Sequence, residues 1–169
     1  LRKKRIAIIS TGGTIEKTYD EMVGVLANRV NVLDILLAGL DLRGVDISRI
    51  PLMNKDSGEM TEDDHSLIAQ TAGILTQTYD GVVVVHGTDT LAKSGELTLS
   101  SHPKLAAPVI FTGAMRPYEL RNTDSIQNIT EALLATQLLE PGVYVAMHNK
   151  ILQFPGVVKD LNNGTFVKL

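Results

Sequence analysis

The chain has 169 residues, 44% of them apolar, a net charge of −3 and no cysteine. That length supports one domain with a sizeable core. The charge leaves no basic footprint for nucleic acid, and the lack of thiols excludes disulfides and thiolate metal sites. No apolar run approaches the roughly 20 residues of a membrane helix. The basic run Leu1–Arg5 reads as a solvated approach to the first strand. The apolar stretch behind it, Ile6–Ile9, is too short for a signal-peptide core. A cytoplasmic protein with no membrane and no nucleic-acid partner is the expectation.

Arg5–Ser10 reads as the first strand, ending in the glycine loop Ser10–Thr14. Glu16–Val25 lacks clean periodicity and reads as a mobile connection. Val30, Leu33, Leu36, Leu37 and Leu40 recur at helical spacing, and Gly39 and Gly44 punctuate the end. Val45–Met53 is a second strand region. Thr61 with Asp64 marks a helix start, with acidic residues at the positive end of the dipole. Leu67, Ile68, Ala72 and Leu75 should form that helix's buried face.

Val82–Val85 is a β-branched run suited to a strand buried on both faces. Leu91–Ser101 follows as a helix stopped before Pro103. Pro108–Thr112 is a strand with Gly113–Pro117 as its exit loop. Asp124 with Gln127 resembles a capping box, opening a helix through Ile126, Ile129, Leu133 and Leu134. Val143–Met147 is the last strand, and the tail from His148 holds Lys159 and an Asn162–Gly164 turn. Strands alternating with helices predict an α/β domain. Its sheet should be doubly wound, mainly parallel and covered by helices on both faces, as in Rossmann and flavodoxin-like folds.

Three strands end in small polar loops: Thr11–Thr14, Gly87–Thr90 and Thr112–Ala114. Ligands in open α/β sheets bind at these carboxyl ends. Glycines let backbone approach a ligand and leave N–H groups free for an anion or a developing oxyanion. A threonine hydroxyl becomes a nucleophile when a base or cation lowers its pKa, and Asp89 and Lys159 are the charged candidates. Thr11–Thr14 matches neither phosphate-loop pattern, and by itself could be a plain tight turn. His86 reads as a hydrogen-bonded structural residue. The four histidines lack ligand spacing, so no metal is expected. Met53, Met60 and Met147 should fill the core. Composition and spacing reach a small-molecule site built on threonine hydroxyls and no further.

Thr11-Gly-Gly-Thr-Ile15 and His86-Gly-Thr-Asp-Thr90 resemble the two signature motifs of the bacterial-type L-asparaginase/glutaminase family. Asp56-Ser-Gly-Glu-Met60, Thr112-Gly-Ala-Met-Arg-Pro117 and Ile151–Lys159 resemble it at matching positions. The likeness covers essentially the whole chain and reaches the larger N-terminal domain of a usually two-domain family. It implies one domain over residues 1–169, with the family's C-terminal domain absent from this chain. It also implies hydrolysis of L-asparagine to L-aspartate and ammonia through an acyl-enzyme, without cofactor or metal, in a homodimer or homotetramer.

Carried over by position, Thr14 resembles the nucleophile, and Thr88, Asp89 and Lys159 resemble a second cluster. Asp89 is also similar to the residue that meets the substrate's α-ammonium, and Ser57 to the one that binds its α-carboxylate. The N–H groups of Thr88 and Thr14 would serve the oxyanion, among the backbone of Gly13 and Gly87. Ala114 is similar to a site-lining residue whose carbonyl can meet the amide nitrogen. Tyr19 is the nearest candidate for the family's mobile-loop tyrosine. Gly58 stands where many secreted members have glutamine, so part of the carboxylate clamp is replaced. The resemblance also leaves room for glutamine hydrolysis, for an amidotransferase subunit, or for a non-catalytic domain binding asparagine or aspartate.

Overall fold

The structure, a computed structural model, describes residues 2–27 and 32–169. Strand β1 (Lys4–Ser10) leads into a single turn at Thr14–Glu16, then β2 (Thr18–Asp20) and β3 (Val25–Ala27). Helix α1 (Val32–Ala38), β4 (Val45–Pro51), α2 (Glu62–Leu75), β5 (Gly81–Val85) and α3 (Leu91–Ser101) follow. The chain continues through β6 (Pro108–Thr112), α4 (Ser125–Leu138) and β7 (Gly142–Met147) to β8 (Lys150–Gln153), β9 (Val157–Asp160) and β10 (Thr165–Lys168).

The main sheet runs β4-β1-β5-β6-β7-β8, parallel throughout except for the last pair. Its strand order reverses between β1 and β5, the switch point where a flavodoxin-like sheet opens a crevice. Two cores explain why these strands are apolar on both faces. Ile6, Ile8, Val83 and Val85 pack with Leu33 and Leu36 of α1 and Ile129 and Leu133 of α4. Ala7, Ile9, Val82 and Val84 pack with Ile68 and Ala72 of α2 and Leu91 of α3. The doubly wound sheet expected from the strand and helix alternation is therefore present.

Several elements depart from expectation. The connection after Glu16 forms a hairpin, with Tyr19 opposite Leu26, closed by a Gly24 N–H bond to the Asp20 carbonyl. Its large apolar side chains, Tyr19, Met22, Val23, Val25 and Leu26, are exposed, so burial leaves no apolar alternation to read. Val30 lies outside the described residues. Leu67 is exposed and Leu75 only half-buried, leaving His65, Ile68, Ala69 and Ala72 as the buried stripe of α2. Of the three methionines only Met147 is buried, while Met53 and Met60 sit at the core's margin. Thr61 and Asp64 form a true capping box.

Asp124 and Gln127 do not form a capping box. Asp124 accepts from the amides of Met115 and Arg116 at 3.0 and 2.9 Å, and Gln127 reaches Glu131 instead. The tail is also richer than expected. His148 and Asn149, with φ of 55° and 59°, make a two-residue turn into β8. That is the turn geometry asparagine and glycine favour, formed here without glycine. β9 and β10 then pair as a hairpin.

Candidate active site

At the switch point the loops after β1 and β5 touch through their glycines. A Cβ on Gly13 (φ 88°) would come within 2.6 Å of the Gly87 Cα, and one on Gly87 within 2.7 Å of the Ser57 side chain. Neither neighbour has room to yield, so both motifs need glycine there. The Gly13 N–H donates to the Lys55 carbonyl and the Lys55 N–H to the Thr11 carbonyl. These bonds lash the loop after β1 to the segment that carries Ser57.

Between these loops lies a cleft of about 400 Å³, mostly polar, lined by Gly13, Thr14, Ser57, Gly58, Thr88, Asp89 and Lys159 among others. Lys159 on β9 is its hinge of charge. Its Nζ lies 2.8 Å from the Thr88 Oγ1 and 2.7 Å from the Asp89 Oδ1, with most of the side chain buried. The strand is held by its neighbours. Val157 and Phe166 are buried, the Gly156 N–H donates to Glu96 of α3, and Lys150 Nζ donates to the Phe166 carbonyl.

The hydroxyls divide by partner. Thr11 is fully buried and donates to the Val85 carbonyl at 2.8 Å, so it braces the strands. Thr90 Oγ1 donates to the Ser57 carbonyl. Ser57 Oγ accepts from the Thr90 N–H at 3.2 Å, leaving its own proton for an acceptor in the cleft. Thr88 faces the Lys159 ammonium. Among the described residues, the Thr14 side chain makes no hydrogen bond, and the N–H groups of Thr14 and Thr88 bond to none of them. The cleft thus offers one unengaged hydroxyl, one hydroxyl beside a cation, and free backbone donors.

The structure brings together Thr14, Thr88, Asp89, Lys159, Ser57, Gly13, Gly58 and Gly87. The Ala114 side chain packs in the core, and the next residue, Met115, lines the cleft. The Asp124 carboxylate accepts from the Met115 and Arg116 amides and so pins that loop. Tyr19 is outside the cleft lining, exposed on β2, with its N–H donating to Glu119.

Lys17, Asp56, Glu59 and Met115 line the cleft in addition to the residues expected from the sequence. Asp56 and Glu59 flank Ser57 in one motif, which is a usable signal. Lys17 pairs with Asp56 at 2.8 Å, a contact across about forty positions that no local pattern announces. Among the described residues no cluster of three or more His, Asp or Glu could hold a metal ion.

A family model described as "Asparaginase, N-terminal" matches residues 5–164. The chain belongs to the asparaginase family. An L-asparaginase of Thermococcus kodakarensis is 33% identical over 150 residues, covering 88% of this chain and 45% of that protein. The solved structure of the thermostable L-asparaginase from Thermococcus kodakarensis superposes with a TM-score of 0.84 at 31% identity, over 98% of this chain and 51% of that one. A probable cytoplasmic L-asparaginase from Campylobacter jejuni gives a TM-score of 0.80 at 33% identity, over 98% and 53%. A glutamyl-tRNA(Gln) amidotransferase subunit of Haloquadratum walsbyi is 35% identical over 145 residues, 85% of this chain and 33% of that protein. This asparaginase-family chain thus spans about half, or less, of the length of the relatives it matches. Among the described residues no helix is long and apolar enough to cross a membrane.

Proposed function

We propose that the cleft hydrolyses the side-chain amide of L-asparagine, giving L-aspartate and ammonia through a threonyl ester. The observation that carries this reading is the Lys159 ammonium within hydrogen-bond reach of both Thr88 and Asp89, in the cleft that holds the unengaged Thr14 hydroxyl. Thr14 Oγ1 attacks the amide carbon. The negative charge that develops on the amide oxygen meets the N–H groups of Thr88 and Thr14. The C–N bond breaks as the nitrogen takes a proton and leaves as ammonia, and water then cleaves the ester. The Thr14 proton passes through the Thr88 hydroxyl, which takes it as its own proton goes on to the leaving nitrogen, and Lys159 stabilises the charge that builds on Thr88 Oγ1 in this relay and when the same hydroxyl later activates the water.

The substrate's two charges fit the rest. Ser57 donates its hydroxyl to the α-carboxylate. Asp89, bound to Lys159 through one oxygen and largely exposed, receives the α-ammonium. That exposure suits a site completed by another surface, and we take residues 1–169 as the N-terminal-type domain of a homo-oligomeric, cytoplasmic enzyme. Tyr19 joins the site through a movement of the β2–β3 hairpin.

The amidotransferase relative supports a second reading, in which the ammonia passes to an acceptor carried on tRNA. One methylene separates the two amide substrates, worth only about 1–3 kcal/mol in a pocket. The test compares ammonia release from L-asparagine and L-glutamine, and transfer of that ammonia to glutamyl-tRNA. Faster release from asparagine supports the asparaginase reading. Binding of asparagine in a calorimeter with no turnover at any enzyme concentration overturns both.

A further inference from the structure

Beneath the loop after β5 lies a buried polar chain that the chemistry above does not use. Ser94 of α3 is fully buried, with its Oγ 2.8 Å from Nε2 of His86 and 2.7 Å from Nδ1 of His65 on α2. The other nitrogen of His86, Nδ1, lies 2.7 Å from the Gly87 carbonyl oxygen. The two imidazoles stack, with centroids 6.1 Å apart and planes 15° from parallel.

The protons can be assigned by elimination. Ser94 has one hydroxyl proton, so it donates to only one of the two rings. A carbonyl only accepts, so His86 Nδ1 carries a proton. Burial keeps this ring neutral at pH 7, its pKa down at about 4. Its Nε2 is therefore bare and accepts from Ser94. Ser94 then has only lone pairs left for His65, which must donate from Nδ1. Donation runs one way: His65 to Ser94, Ser94 to His86, His86 to the Gly87 carbonyl.

We propose that His65, Ser94 and His86 are positioning residues that lock the Gly87–Thr88 peptide so that the Thr88 N–H faces the amide oxygen of the substrate. The inference rests on the hydrolase reading of the cleft. A trans peptide points its C=O and N–H in opposite directions. Drawing the Gly87 carbonyl into the core therefore turns the Thr88 N–H away from the core, toward the cleft that Thr88 lines. A donor fixed before substrate arrives needs no reorganisation as charge develops.

The decisive experiment is nitrogen-15 NMR of the intact, histidine-labelled chain at pH 7, together with kinetics of Ser94→Ala and Ser94→Thr. Both His65 and His86 should appear as neutral rings protonated on Nδ1. Ser94→Ala should lower kcat for asparagine roughly ten- to hundredfold, as expected of a displaced catalytic donor, with KM nearly unchanged. Ser94→Thr, which keeps a hydroxyl, should restore most of it. A ring protonated on Nε2, a charged ring, or wild-type kcat in Ser94→Ala overturns the proposal. If Ser94→Ala does not fold, the wild-type tautomers decide it alone. Wild-type protein that releases no ammonia overturns the hydrolase reading, whereas active protein with the wrong tautomers overturns only the positioning chain.

Discussion

At the residue scale the site works by dividing labour among similar groups. Four threonines and one serine sit in the loops, and their partners separate them: Thr11 and Thr90 brace backbone, Thr88 meets a cation, and Thr14 is unengaged. Gly58 has open space around the position of a Cβ and lines the cleft beside Ser57. Gly58→Gln should therefore fold normally and add an amide donor to the carboxylate clamp, lowering KM for asparagine several-fold. An unchanged or raised KM would remove Gly58 from the clamp.

His86 links the same site to stability. Burial holds its pKa at about 4, against an ordinary value of 6.5. The unfolded chain therefore binds a proton between those limits that the folded chain refuses. His86's contribution is fully present above pH 6.5 and is lost as pH falls through that window, by about 3 kcal/mol. Burial lowers the pKa of His65 as well, adding in the same direction. Urea unfolding at pH 7 and pH 4.5 should show the loss, and His86→Gln should flatten the profile between them. Equal pH dependence in wild type and variant would contradict this assignment.

At the element scale the loops are positioned by side chains buried behind them. Asp124 accepts from Met115, Arg116, Asn128 and His148, and so ties the exit loop of β6 to the β7–β8 turn. Burial alone would push its carboxyl up, but the Met115 amide, the His148 ring and the Arg116 amide outweigh that and hold it below the usual carboxylate range. Asp124→Ala leaves those donors without an acceptor and should cost about 3 kcal/mol in chemical denaturation. A loss no larger than the roughly 1 kcal/mol of an ordinary helix cap would show that the loop holds itself.

The same elements explain what is legible in the sequence. β5, α3 and β6 can be read from Val82–Val85, Leu91–Ser101 and Pro108–Thr112 because burial on both sheet faces, or a proline stop, writes itself into local composition. The β2–β3 hairpin is exposed, so it carries no such mark. β8 to β10 are short, and their half-buried residues mix polar and apolar types. Asp124 followed by Gln127 has the spacing of a cap, but a tertiary demand from Met115 and Arg116 claims the carboxylate. The glycine motifs are legible as loops. Their mutual contact, and the pairing of Lys17 with Asp56, are matters of tertiary geometry.

For the whole molecule, the strand order matters most. Reversal between β1 and β5 sends the chain on to α1 on one face and to α3 on the other, and opens a crevice beside the point where the two loops touch. Thr14 follows one strand and Thr88 the other, some seventy positions apart, while Lys159 arrives from the tail hairpin. The fold assembles three distant segments at one edge, backed by two buried cores. On the proposed reading this edge hydrolyses an amide with Thr14 as nucleophile and Lys159 as the cation that tunes Thr88. Ammonia release from L-asparagine by wild type, Thr14→Ala and Lys159→Met tests it most directly. The wild type should turn over asparagine, and each variant should lose at least about a hundredfold in kcat. Wild-type turnover surviving in Thr14→Ala would contradict it.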